Sequence, residues 1–464
     1  MATRIMLFNS LTFLVFHLVL VGLYWALRRQ MFRQVLLLFG SVVFYGWYYW
    51  PALILLGISM VVNYGFSRWI NSAGCSSKGK VLAAAVVANL ASLGWFKYSA
   101  FIGENIVEMM KALGFSVTSP QYSEWLPLGI SFFTFQVIAY LVDLSRGKVK
   151  CEKNFLVFGV FKCFYAQLVA GPIVRANELI PQIKTQRRFR VGDFYLGLYF
   201  IIGGLTLKVF IADTLAQFVD YGFEDPSRIE VVTAWLTVYG FAVQILCDFW
   251  GYSTIAIGVG LMYGIRLPLN FDLPYQASSL REFWHRWHIT LSQWLRDYLY
   301  IPLGGNRKHR NRNLFLTMLL GGLWHGASWN FIIWGGGHGA WLIAERMLPD
   351  RFAKIPGIKF LKWLVLFNGV CLLWVFFRAP DFGAAMSYFE ALLVPPFTMQ
   401  DSPPDLLIIM LVAFVGVSLV FGKSFTDRRF LQWGLGRQIL SCVLFLFLIL
   451  AFAGSRLDFI YFVF

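Results

Sequence analysis

The sequence predicts an all-α, polytopic membrane protein. Three observations carry that prediction. Of its 464 residues 58% are hydrophobic. Only 14% are charged, against roughly 25% in a soluble domain. The apolar runs follow one another without a soluble interlude, and mean hydropathy is +0.63. A soluble enzyme, a disordered chain and a disulfide scaffold are excluded. At ~20 apolar residues per crossing, the chain has room for about 10–12 spans.

The first run, Ile5 to Leu27, ends at Arg28-Arg29 without a small-residue cleavage site and reads as a retained anchor. Further apolar segments follow near 34–50, 51–66, 81–96, 126–142, 154–171, 194–212 and 231–264. Then come 313–335, 336–344, 361–377, 406–422 and 438–454. Several are short or broken by Gly and Pro, which predicts re-entrant or half-spans buried in protein. No internal repeat is visible, so the inverted repeats of many transporters have no support.

The charges between segments alternate. Seven stretches (28–33, 67–80, 143–153, 172–190, 266–312, 345–362 and 423–437) total +23, and three (97–125, 213–230 and 378–405) total −8. Basic loops stay cytoplasmic, so both chain ends are expected outside. Segment 154–171 has basic loops on both sides and is expected to enter and leave on the cytoplasmic face. The net charge of +16 therefore reads as a topology signal rather than as a grip on a polyanion.

The six cysteines form no C-x-x-C pair and read as small packed residues. Six histidines remain. His17, beside Phe16 and Leu18 in the first span, reads as a packed, hydrogen-bonded residue. His309, in Arg307-Lys-His-Arg310, reads as part of a solvated loop. Residues 279–300 show helical periodicity with capping-box spacing at Ser279 and Glu282. That helix puts His288 on the inner stripe with Trp284, Leu291 and Leu295, and His285 on the polar face. His325 sits mid-span in Gly321-Gly-Leu-Trp-His-Gly-Ala327, where a titratable group is costly and marks function or a water-lined path. For His338, in Gly335-Gly-Gly-His-Gly339, a structural and a functional reading stand side by side. There is no H-E-x-x-H metal motif, no phosphate-binding Walker loop and no G-x-S-x-G elbow.

The run Phe283-Trp-His-Arg-Trp-His288-Ile-Thr-Leu-Ser-Gln-Trp-Leu-Arg-Asp-Tyr298, then Leu303-Gly-Gly-Asn-Arg307 and Gly322-Leu-Trp-His325-Gly-Ala327, resembles the membrane-bound O-acyltransferase family. The similar branch is the bacterial one that O-acetylates exported polysaccharides, alginate among them. Ala170-Gly-Pro-Ile-Val-Arg175, Gln244, Asp248-Phe-Trp-Gly-Tyr252, Met6-Leu-Phe-Asn-Ser10 and Phe44-Tyr-Gly-Trp47 also fit. The resemblance implies one membrane domain over 1–464, with core motifs at about 120–345. Its fold would be a ring of tilted helices, with re-entrant and amphipathic segments, around a central funnel. It implies that His325 is the catalytic histidine and His288 a second, less strict position. A cytoplasmic thioester, acetyl-CoA, would be the donor substrate, with no bound cofactor and no metal.

The tail 455–464, ending Asp458-Phe-Ile-Tyr-Phe-Val-Phe464, resembles the acceptor tail of the small membrane peptide in the D-alanylation of teichoic acid. That suggests Tyr461 as a covalent acyl acceptor, with outer-face SGNH-type acetyltransferases and a polysaccharide synthesis complex as partners. The expected setting is the inner membrane, with lipid and no nucleic acid as surroundings. Peptidoglycan or cellulose could replace alginate, and a secondary transporter or channel is the reading from a different class. The plain reading of the tail is an apolar end packed on the bundle.

Overall fold

A computed structural model describes residues 6–72, 77–118, 126–169, 171–347, 357–393, 405–422 and 429–452. Helices, turns and irregular segments make up all of these, with no strand among the described residues. Among the described residues five helices are long and apolar enough to cross a membrane: 52–72, 78–112, 191–224, 231–262 and 358–378. Helices 11–26, 130–145, 405–419 and 435–451 are apolar but shorter. The chain divides into two compact units, Met1–Arg190 with Met262–Leu267, and Val191–Leu261 with Pro268–Phe464.

The first unit begins with α1 (Leu11–Ala26), α2 (Gln30–Tyr48), α3 (Ala52–Ser72) and α4 (Lys78–Ala112). The Ser10 side chain caps α1 by accepting from the backbone N–H of Phe13 at 3.1 Å. Leu11, Leu14, Val15, Leu18 and Val19 stay exposed along α1, a face suited to lipid. Asn63 and Asn89 exchange side-chain hydrogen bonds of 3.1 and 2.7 Å, tying α3 to α4 where an unpaired amide would be costly. Helix α4 runs on through 97–112, which the sequence reading had assigned to an outer loop. No proline interrupts it, and ~1.5 Å per residue carries its 35 residues well past a ~30 Å hydrocarbon core.

Next come α5 (Ile130–Ser145), α6 (Phe155–Cys163), α7 (Tyr165–Leu168) and α8 (Ala176–Lys184). Helix α5 is buried on all sides. The segment expected to turn back on itself is broken at Phe164 into pieces of nine and four residues. Neither is long enough to cross at ~1.5 Å per residue. His17 is packed as expected: its Nδ1 lies 2.7 Å from the Tyr165 hydroxyl, itself 2.8 Å from that of Tyr263.

The second unit opens with α9 (Val191–Leu205), a π-helical turn at Thr206–Ala212, and α10 (Asp213–Glu224), which together make one long span. It packs on α11 (Val231–Met262) through glycine-to-backbone contact. A β-carbon on Gly204 would come within 2.6 Å of the Gly251 carbonyl oxygen. The π turn carries Lys208, whose Nζ meets Asp213 at 2.6 Å and Asp248 of α11 at 2.7 Å. All three side chains are buried. Asp213 therefore belongs to the helix interior and not to the acidic loop 213–230 in which it was counted.

Beyond α11 lie α12 (Leu280–Arg286), α13 (Ile289–Leu295), a π turn at Arg296–Tyr300, α14 (Arg310–His325) and α15 (Trp329–Met347). The unit continues through α16 (Ile358–Arg378), α17 (Phe382–Ala391), α18 (Asp405–Phe421) and α19 (Leu435–Ala451). Two breaks differ from the sequence reading. The single helix expected over 279–300 is interrupted at Trp287-His288, and the run 313–335 is two helices joined after His325. Both breaks fall on candidate site residues.

Candidate active site

His288 is the joint between α12 and α13. Its φ of 40° and ψ of 55° lie in the left-handed region, which costs a residue with a β-carbon about 1–2 kcal/mol. Asn270 holds the joint in place. Its backbone oxygen accepts from the Ile289 N–H at 2.9 Å. Its Oδ1 accepts from the Thr290 hydroxyl at 2.9 Å and faces His288 Nδ1 at 3.1 Å. An amide oxygen only accepts, so Nδ1 carries the proton and Nε2 the lone pair. His288 is fully buried in a segment too short to cross the membrane, and desolvation pushes its pKa down to about 3. At neutral pH the ring is uncharged.

Replacing Asn270 with alanine takes the acceptor from Nδ1 and from Thr290 and frees the ring to change tautomer. The expected result is a kcat at least about tenfold lower, since misplacement of a reacting group by ~1 Å costs up to 10²-fold, at normal membrane abundance. Acetyl-transfer assays in proteoliposomes check this; a wild-type kcat removes Asn270 from the site.

His325 is the last residue of α14, not a mid-span residue. It is 3% exposed. Three aromatic rings stand edge-on around it: Trp324 at 5.0 Å, Trp334 at 5.1 Å and Phe377 at 5.4 Å between ring centres. Only three residues, Gly326 to Ser328, separate α14 from α15. The two helices then pack backbone on backbone. A β-carbon on Gly322 would run into the Phe331 carbonyl oxygen and lie 2.9 Å from the Gly335 α-carbon. That contact fixes the end of α14, and with it His325, against α15.

The structure brings the two predicted histidines within reach of one shared ring. Trp324 lies 6.1 Å from His288 and 5.0 Å from His325, centre to centre. Phe249 closes the other side of His288 at 4.7 Å. His285 is exposed and donates from Nδ1 to the Arg281 carbonyl at 2.6 Å, and His309 is exposed ahead of α14. Neither joins the site. Tyr461 lies outside the described residues. Sequence reasoning missed Asn270, which has no local signature 18 residues before its partner. It also missed Lys208, which carried one: a charge inside an apolar run is costly enough to mark a role. No cluster of three metal-ligating side chains occurs among the described residues.

A model of the membrane-bound O-acyltransferase family matches residues 152–380, which include Asn270, His288 and His325. A probable alginate O-acetylase of Azotobacter vinelandii is 42% identical over 438 residues, 92% of this chain and 86% of that protein. One of Pseudomonas aeruginosa is 42% identical over 395 residues, 83% of this chain and 75% of that protein. A peptidoglycan O-acetyltransferase of Helicobacter pylori is 37% identical over 401 residues, covering 79% and 74% respectively.

Proposed function

The chain belongs to the membrane-bound O-acyltransferase family and is a multi-pass membrane O-acetyltransferase, and on that premise we propose that it carries acetyl from cytoplasmic acetyl-CoA to an acceptor hydroxyl for O-acetylation of an exported polysaccharide. Alginate is the leading polymer, supported by the relatives of Azotobacter and Pseudomonas. Peptidoglycan is the second reading, supported by the Helicobacter relative. We take residues 1–464 as one catalytic domain in the inner membrane, with both ends on the periplasmic side.

One observation carries the chemistry: two buried histidines flank a single indole in the same unit. In the proposed reaction the acceptor oxygen attacks the thioester carbonyl carbon while His325 takes the hydroxyl proton. His288 orients the acceptor. The tetrahedral intermediate collapses with loss of the thiolate, which receives the proton back from His325. Acetyl-CoA is a substrate here and not a resident cofactor. Low-dielectric walls around His325 strengthen whatever dipoles face the developing oxyanion.

The acceptor hydroxyl we propose first is that of Tyr461. An ordinary phenol has a pKa near 10, so it needs the base to attack, and its ester is then a good acyl donor to a separate SGNH-type transferase outside. Purified protein in liposomes is given acetyl-CoA and weighed intact. The expected result is one added acetyl group, absent in Tyr461→Phe. Normal polymer acetylation by Tyr461→Phe overturns the relay. Absence of any acetyl-CoA turnover by the wild-type protein overturns acetyl-CoA as the donor.

A further inference from the structure

His338 of α15 is fully buried, and neither of its ring nitrogens has a hydrogen-bond partner among the described residues. Leaving such groups unpaired in the interior is costly. A phenylalanine would fill the same space without that cost. Its surroundings are specific. Phe283 lies parallel to it at 6.4 Å and Trp284 edge-on at 5.1 Å. Both come from α12, directly before His288. Trp334 stands edge-on to it at 4.8 Å and edge-on to Trp284 at 5.8 Å, and the same indole stands edge-on to His325 at 5.1 Å. His338 thus touches the His288 motif directly and the His325 motif through one ring. The indole N–H groups of Trp284 and Trp334 also lack partners among the described residues.

We propose that His338 is a positioning residue of the acyl-transfer site, setting the tilt of Trp334 and through it the orientation of His325. The proposal rests on His325 being the base. A neutral imidazole carries an N–H that can point into the face of an edge-on indole. A phenyl ring offers no such donor. The polar edges therefore select one arrangement of Trp334 where shape alone would allow several.

The test compares His338→Phe, His338→Gln and His338→Ala in proteoliposomes, reading kcat and the KM for acetyl-CoA separately. For His338→Phe we expect normal membrane abundance, a KM within about twofold of wild type, and a kcat lower by roughly 10- to 100-fold. His338→Gln keeps an N–H and an acceptor and is expected to recover at least about fivefold in kcat over His338→Ala. A wild-type kcat for His338→Phe overturns the proposal. Should that variant fail to accumulate, the amide decides: a kcat for His338→Gln no better than for His338→Ala also overturns it. A dead His325→Ala beside a normal His338→Phe leaves the active-site reading intact and removes only His338. An active His325→Ala removes the premise instead.

Discussion

His325→Ala is expected to lose acetyl transfer by about 10³-fold or more while the protein still reaches the membrane in normal amounts. A positioned general base contributes ~10²–10⁴-fold, and no other described histidine is held in the same ring of aromatics. The abundance part of the expectation follows from where the residue sits. His325 ends α14, and the glycine contact between α14 and α15 involves Gly322 and Gly335 rather than its imidazole. Truncation removes ring contacts with Trp324, Trp334 and Phe377 and leaves the Gly322–Gly335 contact in place. Acetyl-CoA turnover and polymer acetylation, measured beside membrane abundance, decide the matter. Activity within tenfold of wild type withdraws His325 as the base. His325→Gln adds a control for shape, since an amide can hydrogen-bond but cannot take up the proton.

Lys208→Met is expected to be the most destabilising single change outside the site. Its ammonium faces two carboxylates, Asp213 at 2.6 Å and Asp248 at 2.7 Å, in the interior of the second unit. Removing one member of a buried ion pair costs about 3–5 kcal/mol, because the carboxylates left behind have lost the cation that made their burial tolerable. The same logic predicts compensation. Lys208→Met combined with Asp213→Asn and Asp248→Asn is expected to regain most of the lost stability, since neutral amides are less costly to bury than unpaired charges. Thermal unfolding in detergent measures both. A Lys208→Met protein as stable as wild type would show that the cluster is not held by charge. On the proposed mechanism the cluster also bears on catalysis, because Asp248 precedes Phe249, whose ring lies 4.7 Å from His288. Loosening α11 at this point relaxes one wall of the site.

The apolar segments were legible because hydropathy alone dictates them. The helices observed at 11–26, 52–72, 231–262 and 358–378 lie on the runs read from composition. At 154–171, where like-signed loops on both sides led to the expectation of a re-entrant segment, the fold has two short helices broken at Phe164. The breaks at His288 and His325 were not legible. Apolar periodicity continues unchanged across Trp287-His288, and a left-handed histidine has no signature in sequence, unlike a left-handed glycine. Its cause, the clamp from Asn270, is a contact between distant residues. Gly326 after His325 did offer a hint, as a glycine often follows the end of a helix, but an unbroken apolar run masked it. Counting Asp213 as a loop charge failed for a related reason: composition cannot tell a solvated carboxylate from one paired inside a helix bundle. The family resemblance drew attention to His288 and His325. The reason they meet, the indole of Trp324, came only with the fold.

The glycine contact between α14 and α15 has a bearing on how substrates enter. Where two backbones touch, there is no side chain to rotate, and separating them loses many contacts at once. The hairpin that carries His325 is therefore stiff. His288 is placed differently: with Trp287 it joins two seven-residue helices, itself in a costly conformation, beside an Asn270 that accepts hydrogen bonds from Ile289 and Thr290. A change of φ and ψ at that one residue swings α12 against α13 without breaking either helix. On the mechanism proposed above, the two histidines then differ in how they are held: His325 by a backbone-on-backbone hairpin, His288 by a single left-handed joint between two short helices.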